Sequence, residues 1–347
     1  MKAGMTRAGR EKGAIMTKAG MTGAGVEKAG VEKAGMTGAG MTGAGMNERS
    51  RYVLALVVLG LGWGSTQPLG KLATSTGHPP FGLIFWQLVV CVVVLGGITL
   101  ARGRGLPLHG RALVFYVVVA FLGTLIPNAT FYISVARLPA GIMSILISMV
   151  PLLAFPLALA FGLDRFSVAR LAGLVLGLCG VALIALPEAS LPDPAMAAFL
   201  PLAMLGPLFY ALEGTFVQRF GTAGMDAIQA MFGASLVGLV LVTPVMLGLG
   251  QWISPAPPWG VAEGALVLSS AMHGLLYAGY VALAARAGAV FASQSSYLVT
   301  ASGVVWAMVL LGERFSPWVW AAMAVMLVGL ALVQPRVRDT DDAPVQG

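Results

Sequence analysis

Between Tyr52 and Gln334 the chain is a succession of apolar runs of about 20 residues, separated by short polar or Gly/Pro segments. That length matches a hydrocarbon core of about 30 Å crossed by a helix rising about 1.5 Å per residue. In lipid every backbone polar group has to be satisfied internally, so runs of this kind fold as transmembrane helices. The spacing predicts ten of them, near residues 52–71, 81–101, 112–135, 139–162, 168–186, 195–218, 226–249, 260–285, 288–311 and 317–334. Apolar residues make up 58% of the chain and charged residues only 10%, which leaves no soluble catalytic domain to expect.

The formal charge of +7 does not point to nucleic acid, because the basic residues sit between apolar runs rather than among aromatics on a soluble face. Their distribution is topological information. With both termini cytoplasmic, eighteen of the 21 Lys and Arg residues fall inside, and only Lys71, Arg137 and Arg314 fall outside. Trp252, Trp259, Trp318 and Trp320 then gather at the outer interface, where amphipathic rings settle. The expected location is the inner or plasma membrane. Cys91 and Cys179 both lie within apolar runs and are expected to be small core residues.

Residues 1–50 are expected to be a disordered, low-complexity cytoplasmic tail. A degenerate five-residue repeat of Gly, Ala, Met and Thr with scattered charges occupies the first 45, and it is either such a tail or an upstream extension of a frame starting at Met46. It lacks the continuous apolar stretch of a secretory signal. The sequence Gly38-Ala39-Gly40-Met41-Thr42-Gly43 fits a dinucleotide fingerprint in letters only, since no strand precedes it. No cofactor or metal is expected.

The remainder divides into two halves, 51–190 and 191–335, followed by a short cytoplasmic tail at 336–347. Asp164-Arg165-Phe166-Ser167 in the first recurs as Glu313-Arg314-Phe315-Ser316 in the second, each followed by an apolar helix. Five spans, an odd number, separate the copies, so the halves have opposite orientations in the membrane. The fold class expected is therefore an all-α integral membrane protein with ten transmembrane helices in two inverted five-helix repeats, the plan on which many carriers build alternating access. The four charged corner residues, Asp164, Arg165, Glu313 and Arg314, are read as structural, each carboxylate near the N-terminus of the helix that follows.

Trp63-Gly64-Ser65, the Pro151-containing fourth span running into Leu163-Asp164-Arg165, and Gly312-Glu313-Arg314 make residues 52–334 resemble the drug/metabolite transporter superfamily, within it the ten-span EamA-type carriers. The first half has Asp164 where that group usually has Glu. The resemblance implies export or exchange of metabolites, amino acids or drugs, and it marks fold better than substrate.

Within the spans, ionisable groups cost roughly 2.5–3.5 kcal/mol each at a helix centre on insertion scales. Glu213 and His273 are the strongest cases. Glu213 has Tyr210 one turn before it, and His273 shares a helical stripe with Tyr277 and Tyr280. These are candidates for binding a charged substrate group or carrying a coupling proton. The structural alternatives are a His bonded to a neighbouring carbonyl and a Glu reaching the headgroups. Neutral polar candidates are Trp63 with Gln67, Asn128 with Tyr132, and Gln294 with Tyr297, any of which serves equally as interhelical glue. Trp306 is expected in the core. In-span prolines at 68, 127, 151, 156, 207 and 244 predict kinks. Gly60-x-x-x-Gly64 and Gly173-x-x-x-Gly177 predict close helix contacts, within a monomer or across a homodimer.

The reading that follows is a secondary carrier in the lipid bilayer, moving a small molecule with a possible coupling proton. A nucleotide-sugar or phosphorylated-sugar exchanger would need in-span Lys or Arg for phosphates. A lipid-modifying enzyme would need clustered acids or a metal set, and neither pattern is present in the sequence.

Overall fold

A computed structural model describes residues 47–186, 190–287, 291–292 and 294–333. The repetitive tail up to residue 46, the C-terminal tail, and residues 187–189, 288–290 and 293 lie outside the described residues.

Among the described residues ten long helices follow one another: α1 (Glu48–Thr74), α2 (Pro80–Ala101), α3 (Gly110–Val135), α4 (Ala140–Ala160), α5 (Val168–Ala185), α6 (Pro194–Phe220), α7 (Ala227–Gly248), α8 (Val261–Ala287), α9 (Ser295–Leu311) and α10 (Pro317–Val333). The first eight contain apolar windows long enough to cross a membrane; α9 and α10 are equally apolar and 17 residues long. Observed ends fall within a few residues of the expected ones, except at the start of α9, where the expected span opens on residues outside the described set.

The ends are set by local chemistry. Asn47 Oδ1 accepts from Ser50 N–H at 2.8 Å, capping α1. Asp226 and Gln229 form a reciprocal capping box at α7. Gly162 and Gly312 adopt φ of +67° and +66°, a left-handed conformation in which a Cβ is strained; they stop α4 and α9 just before the two charged corners.

Two helices are interrupted. In α3 a π-helical turn, Ala120–Leu125, precedes Pro127; in α4 the helix breaks at Ile147–Ser148, just ahead of Pro151. Each proline lacks the N–H that would bond the carbonyl four residues back, and the chain adjusts there by widening or tightening a turn. Pro68, Pro207 and Pro244 stay inside continuous helices, and Pro156 inside the second segment of α4.

The packing has the symmetry of the sequence repeat. Exchanging each helix for the one five places on leaves the main neighbour pairs unchanged. The contacts α1–α9 and α1–α8 become α6–α4 and α6–α3, α2–α8 becomes α7–α3, and α2–α7, α4–α9 and α5–α10 map onto themselves. The duplication is thus a structural two-fold, and with an odd number of crossings between copies its halves are inverted. Both Gly-x-x-x-Gly faces are spent inside this arrangement: a Cβ on Gly173 would meet the carbonyl of Gly329 on α10, and Gly60 and Gly64 face Leu298 and Ser302 on α9.

Let the near side be the one where α1 begins, and the far side the one where it ends. On the near side Arg104 Nη1 pairs with Asp226 Oδ2 at 2.6 Å, joining the α2–α3 loop to the start of α7. The two side chains are 55% and 32% exposed, so this pair contributes little. We expect Arg104→Ala to change the unfolding free energy in detergent by less than about 1 kcal/mol. Asp226→Ala, which also removes the α7 cap, should cost about 1 kcal/mol more.

Candidate functional site

A cavity of about 370 Å³ lies among α1, α2, α3, α4, α6, α7, α8 and α9; among the described residues, neither α5 nor α10 contributes to its wall. Every helix that lines it has its two-fold mate lining it as well: α1 with α6, α2 with α7, α3 with α8, α4 with α9. The self-pairing α5 and α10 flank the site. The volume sits at the lower end of the range for small-molecule sites.

Backbone freed by prolines, in the two interrupted helices and in α6, explains how a polar cavity exists at membrane depth. Pro127, Pro151 and Pro207 all line it, and so do Gly123, Ile147 and Ala203, the residues four positions before them whose carbonyls lose their helical donors. Ile147 recovers a bond from Val150 N–H at 3.1 Å. Irregular backbone is tolerated within a membrane where it borders protein or a polar cavity rather than lipid.

Eight of the ten candidate binding residues come together here: Trp63 and Gln67 on α1, Asn128 and Tyr132 on α3, Tyr210 and Glu213 on α6, His273 and Tyr277 on α8. Glu213 turns into the cavity rather than toward the headgroups. Its carboxylate faces the π-helical turn of α3, so that a Cβ on Gly123 would fall on it. Among the described residues neither Glu213 nor His273 has a hydrogen-bond or ion partner. His273 has the Trp63 ring at 6.4 Å, and Trp63 is in turn 5.6 Å from Tyr280. Tyr132 donates its hydroxyl proton to Gln87 Oε1 at 2.9 Å.

Gln294 and Tyr297 are not in the cavity wall. The face of α9 turned inward is Ser295, Ser296 and Val299, and Tyr297, offset by one residue on a 3.6-residue turn, points elsewhere. Gln294 lies at the exposed start of the helix. Trp306 is half-buried and donates its indole N–H to the Leu61 carbonyl at 3.0 Å, tying α9 to α1.

Several wall residues were missed from sequence. Gln87, the only amide in α2, carried a usable signal as a strongly polar side chain in the middle of an apolar span. Ser148, Ser269 and Ser295 carried none, since serines at these depths serve equally as packing.

The charged corners lie outside the cavity wall, and one carboxylate caps a different helix from the one expected. Glu313 does not sit at the N-terminus of the following helix α10. It accepts from the backbone N–H groups of Ala140 and Gly141, at 2.8 and 3.0 Å, at the start of α4 in the other half. Asp164 stays local, accepting from Arg165 N–H at 2.7 Å and pairing with Arg170 in the first turn of α5. Arg165 and Arg314 are exposed. Lys71 Nζ donates to the carbonyls of Val135 and Leu138, at 2.9 and 2.6 Å, at the far end of α3.

The EamA-like transporter family matches residues 50–186 and, a second time, residues 198–334. The chain belongs to this family. A curated relative from Streptantibioticus cattleyicolor, named a probable terminal-alkyne amino-acid exporter, is 25% identical over 300 residues, spanning 83% of this chain and 94% of that protein. One solved protein crystal structure superposes with a TM-score of 0.55 at 20% identity, covering 82% of this chain and 98% of the other, a likeness of fold alone. As an EamA-like protein the chain is a multi-pass membrane protein of the drug/metabolite transporter superfamily and a small-solute transporter.

Proposed function

We propose that the protein is a secondary active carrier, an exporter or exchanger of a small organic solute such as a metabolite, amino acid or drug, working by alternating access around the central cavity. The observation that carries this is the position of the cavity: it lies on the pseudo-two-fold, between two-fold-related helix pairs of the kind that rock against one another in inverted-repeat carriers. The name of the Streptantibioticus relative favours export and an amino-acid-sized solute. The cavity wall contains no Lys or Arg among the described residues, which disfavours a phosphorylated or nucleotide-linked sugar.

In this reading Glu213 and His273, with Trp63, Gln67, Asn128, Tyr132, Tyr210 and Tyr277 around them, bind solute or carry a coupling proton. As in other secondary carriers, a solute or ion gradient supplies the energy in this reading. The charge distribution supports an inner or plasma membrane location with both termini cytoplasmic, which makes the near side the cytoplasmic one. All eight lining helices belong to one chain, an arrangement compatible with a monomer or a homodimer.

Counterflow of a solute panel in proteoliposomes tests the reading. A carrier shows saturable exchange that accelerates with solute preloaded on the opposite side; linear, unsaturable flux would identify a channel instead. His273→Ala should lower the exchange rate by about tenfold or more, as expected when a polar partner is removed from a desolvated site. Wild-type exchange in that variant would remove His273 from the site.

A further inference from the structure

Beside the central cavity lies an annex of about 20 Å³, bounded by α2, α3, α7 and α8. That is room for one particle the size of a water molecule. Gly123 and Thr124 of the π-helical turn of α3 line it, with Asn128 one turn further on, Ser235 on α7 and Gln87 on α2; His273 borders both spaces.

The hydroxyl groups here behave unlike those elsewhere in the spans. A Ser or Thr within a helix ordinarily donates its hydroxyl proton to a carbonyl three or four residues back, as Thr99, Thr215, Thr243 and Thr300 do. Thr124 and Ser235 do not. Among the described residues neither they nor the Asn128 side chain has a hydrogen-bond partner, although they are only 7%, 3% and 7% exposed. Polar groups buried to this degree are bonded as a rule, so three of them around one small space mark a place for a ligand.

The lining selects the kind of ligand. It offers hard oxygens: two hydroxyls, the side-chain carbonyls of Asn128 and Gln87, and the main-chain carbonyl of Gly123, whose usual helical donor is missing because Pro127 has no N–H. Carbonyls of interrupted helices coordinate Na⁺ at membrane depth in carriers of inverted-repeat design. Charge favours a cation over water. The Glu213 carboxylate lies just across Gly123, both its oxygens within 2.6 Å of the place a Cβ on that glycine would take. The other titratable groups around the annex are His273, Tyr277 and Cys91, whose thiol donates to the Ser270 carbonyl at 3.7 Å. One carboxylate balances one monovalent charge, and a divalent ion would leave a costly surplus at this depth. An imidazolium at His273 would balance the same charge, so a proton there and a cation in the annex are alternatives.

We infer that the annex is a sodium site, held by Thr124, Asn128, Ser235 and the π-helical turn of α3. The site stands on its own geometry and not on the carrier reading of the cavity beside it.

Binding of radiolabelled Na⁺ to the whole protein in lipid nanodiscs tests it, in a mildly alkaline buffer that disfavours imidazolium. Binding should saturate, and the thermal unfolding midpoint should rise with NaCl but not with choline chloride at equal ionic strength. Potassium, too large for the space, should need about tenfold higher concentration or more for the same shift. Ser235→Ala and Thr124→Val each remove one oxygen ligand and should weaken Na⁺ binding about tenfold. Glu213→Gln should weaken it at least as much. Thr243→Val, which removes a hydroxyl already bonded within its own helix, should leave Na⁺ affinity unchanged. If Thr124→Val does not yield folded protein, Ser235→Ala against this control decides. No saturable Na⁺ binding, equal shifts in the three salts, or an undiminished Na⁺ affinity in Ser235→Ala would overturn the inference and leave the annex to an ordered water. Solute counterflow decides the other reading separately: Na⁺ binding without any exchange would sink the carrier and leave the ion site standing, and exchange by a protein that binds no Na⁺ would do the reverse.

Discussion

Gly64→Val should abolish recovery of folded protein. Gly64 lies where α1 crosses α9, and a Cβ there would collide with Ser302 Oγ, 2.8 Å from the backbone nitrogen of Gly303 and 3.0 Å from the carbonyl of Val299. Two of these obstacles are main-chain atoms, so the collision is not relieved by a rotamer change. The contact is tight in the other direction too: a Cβ on Gly303 would lie 2.6 Å from Ser144 Cβ on α4 and 3.2 Å from the Gly64 carbonyl. Helices α1, α9 and α4 therefore meet through glycine and serine at one place, and separating them would open the cavity wall. Overpacking typically costs about 1–3 kcal/mol, and we expect the upper end or beyond here because backbone has to move. The matching control is Gly97→Val in α2, where a Cβ meets nothing within 4 Å. Size-exclusion profiles of the detergent-solubilised proteins should show a monodisperse peak for the control and loss of most of it for Gly64→Val. Equal peaks would mean that the α1–α9 crossing is looser than described.

Glu313→Ala should cost about 2–4 kcal/mol of stability, the sum expected for two buried backbone donors left without a partner. Ala140 is fully buried and Gly141 also lies inside, so water cannot readily replace the carboxylate. The negative charge also favours the helix N-terminus it faces. Lys71 does the converse a few residues earlier in the chain, donating to the carbonyls at the end of α3. Together the two charges hold the α3–α4 connection at both ends, one from α1 and one from the α9–α10 corner. Glu313→Gln supplies one acceptor oxygen instead of two and should fall between alanine and wild type. Asp164→Ala, whose carboxylate is a third exposed and paired with a partly exposed Arg170, should cost no more than about 1 kcal/mol. Thermal unfolding in micelles across the series provides the check. A larger loss at Asp164 than at Glu313 would contradict the placement of the cap.

The inequality of these two corners is a case where a repeated motif conceals divergence. In the first half Gly162 stands two residues before the acid, and in the second Gly312 stands immediately before it. The helix stop therefore releases the carboxylate at a different point relative to its turn, and a glutamate has one more methylene of reach than an aspartate. The motif is visible in the letters; the partner of each carboxylate depends on how far away in sequence the neighbouring helix end happens to be packed.

The candidate site divides in the same way. Glu213, His273 and their aromatic neighbours stood out because polar and ionisable groups are costly inside an apolar span, whatever they touch. Gly123 carried no such signal, since a glycine that makes room for a carboxylate is indistinguishable in sequence from one that permits close helix packing. Tyr297 had the right depth and the wrong azimuth, and the rotation of a helix about its own axis is fixed by its neighbours.

What the sequence by itself determined is the solvent of each segment, the ten crossings and their alternation, because bilayer thickness and backbone hydrogen bonding act on one stretch of chain at a time. The inverted relation of the halves follows from counting those crossings between two copies of a motif. Only the tertiary structure decided which faces meet: that the glycine pairs are consumed inside the fold, that Glu313 reaches across to α4, and that eight helices bring Glu213 and His273 to one cavity. Those outcomes are settled by contacts between residues far apart in the chain, where shape and charge are satisfied jointly and no local pattern specifies the partner.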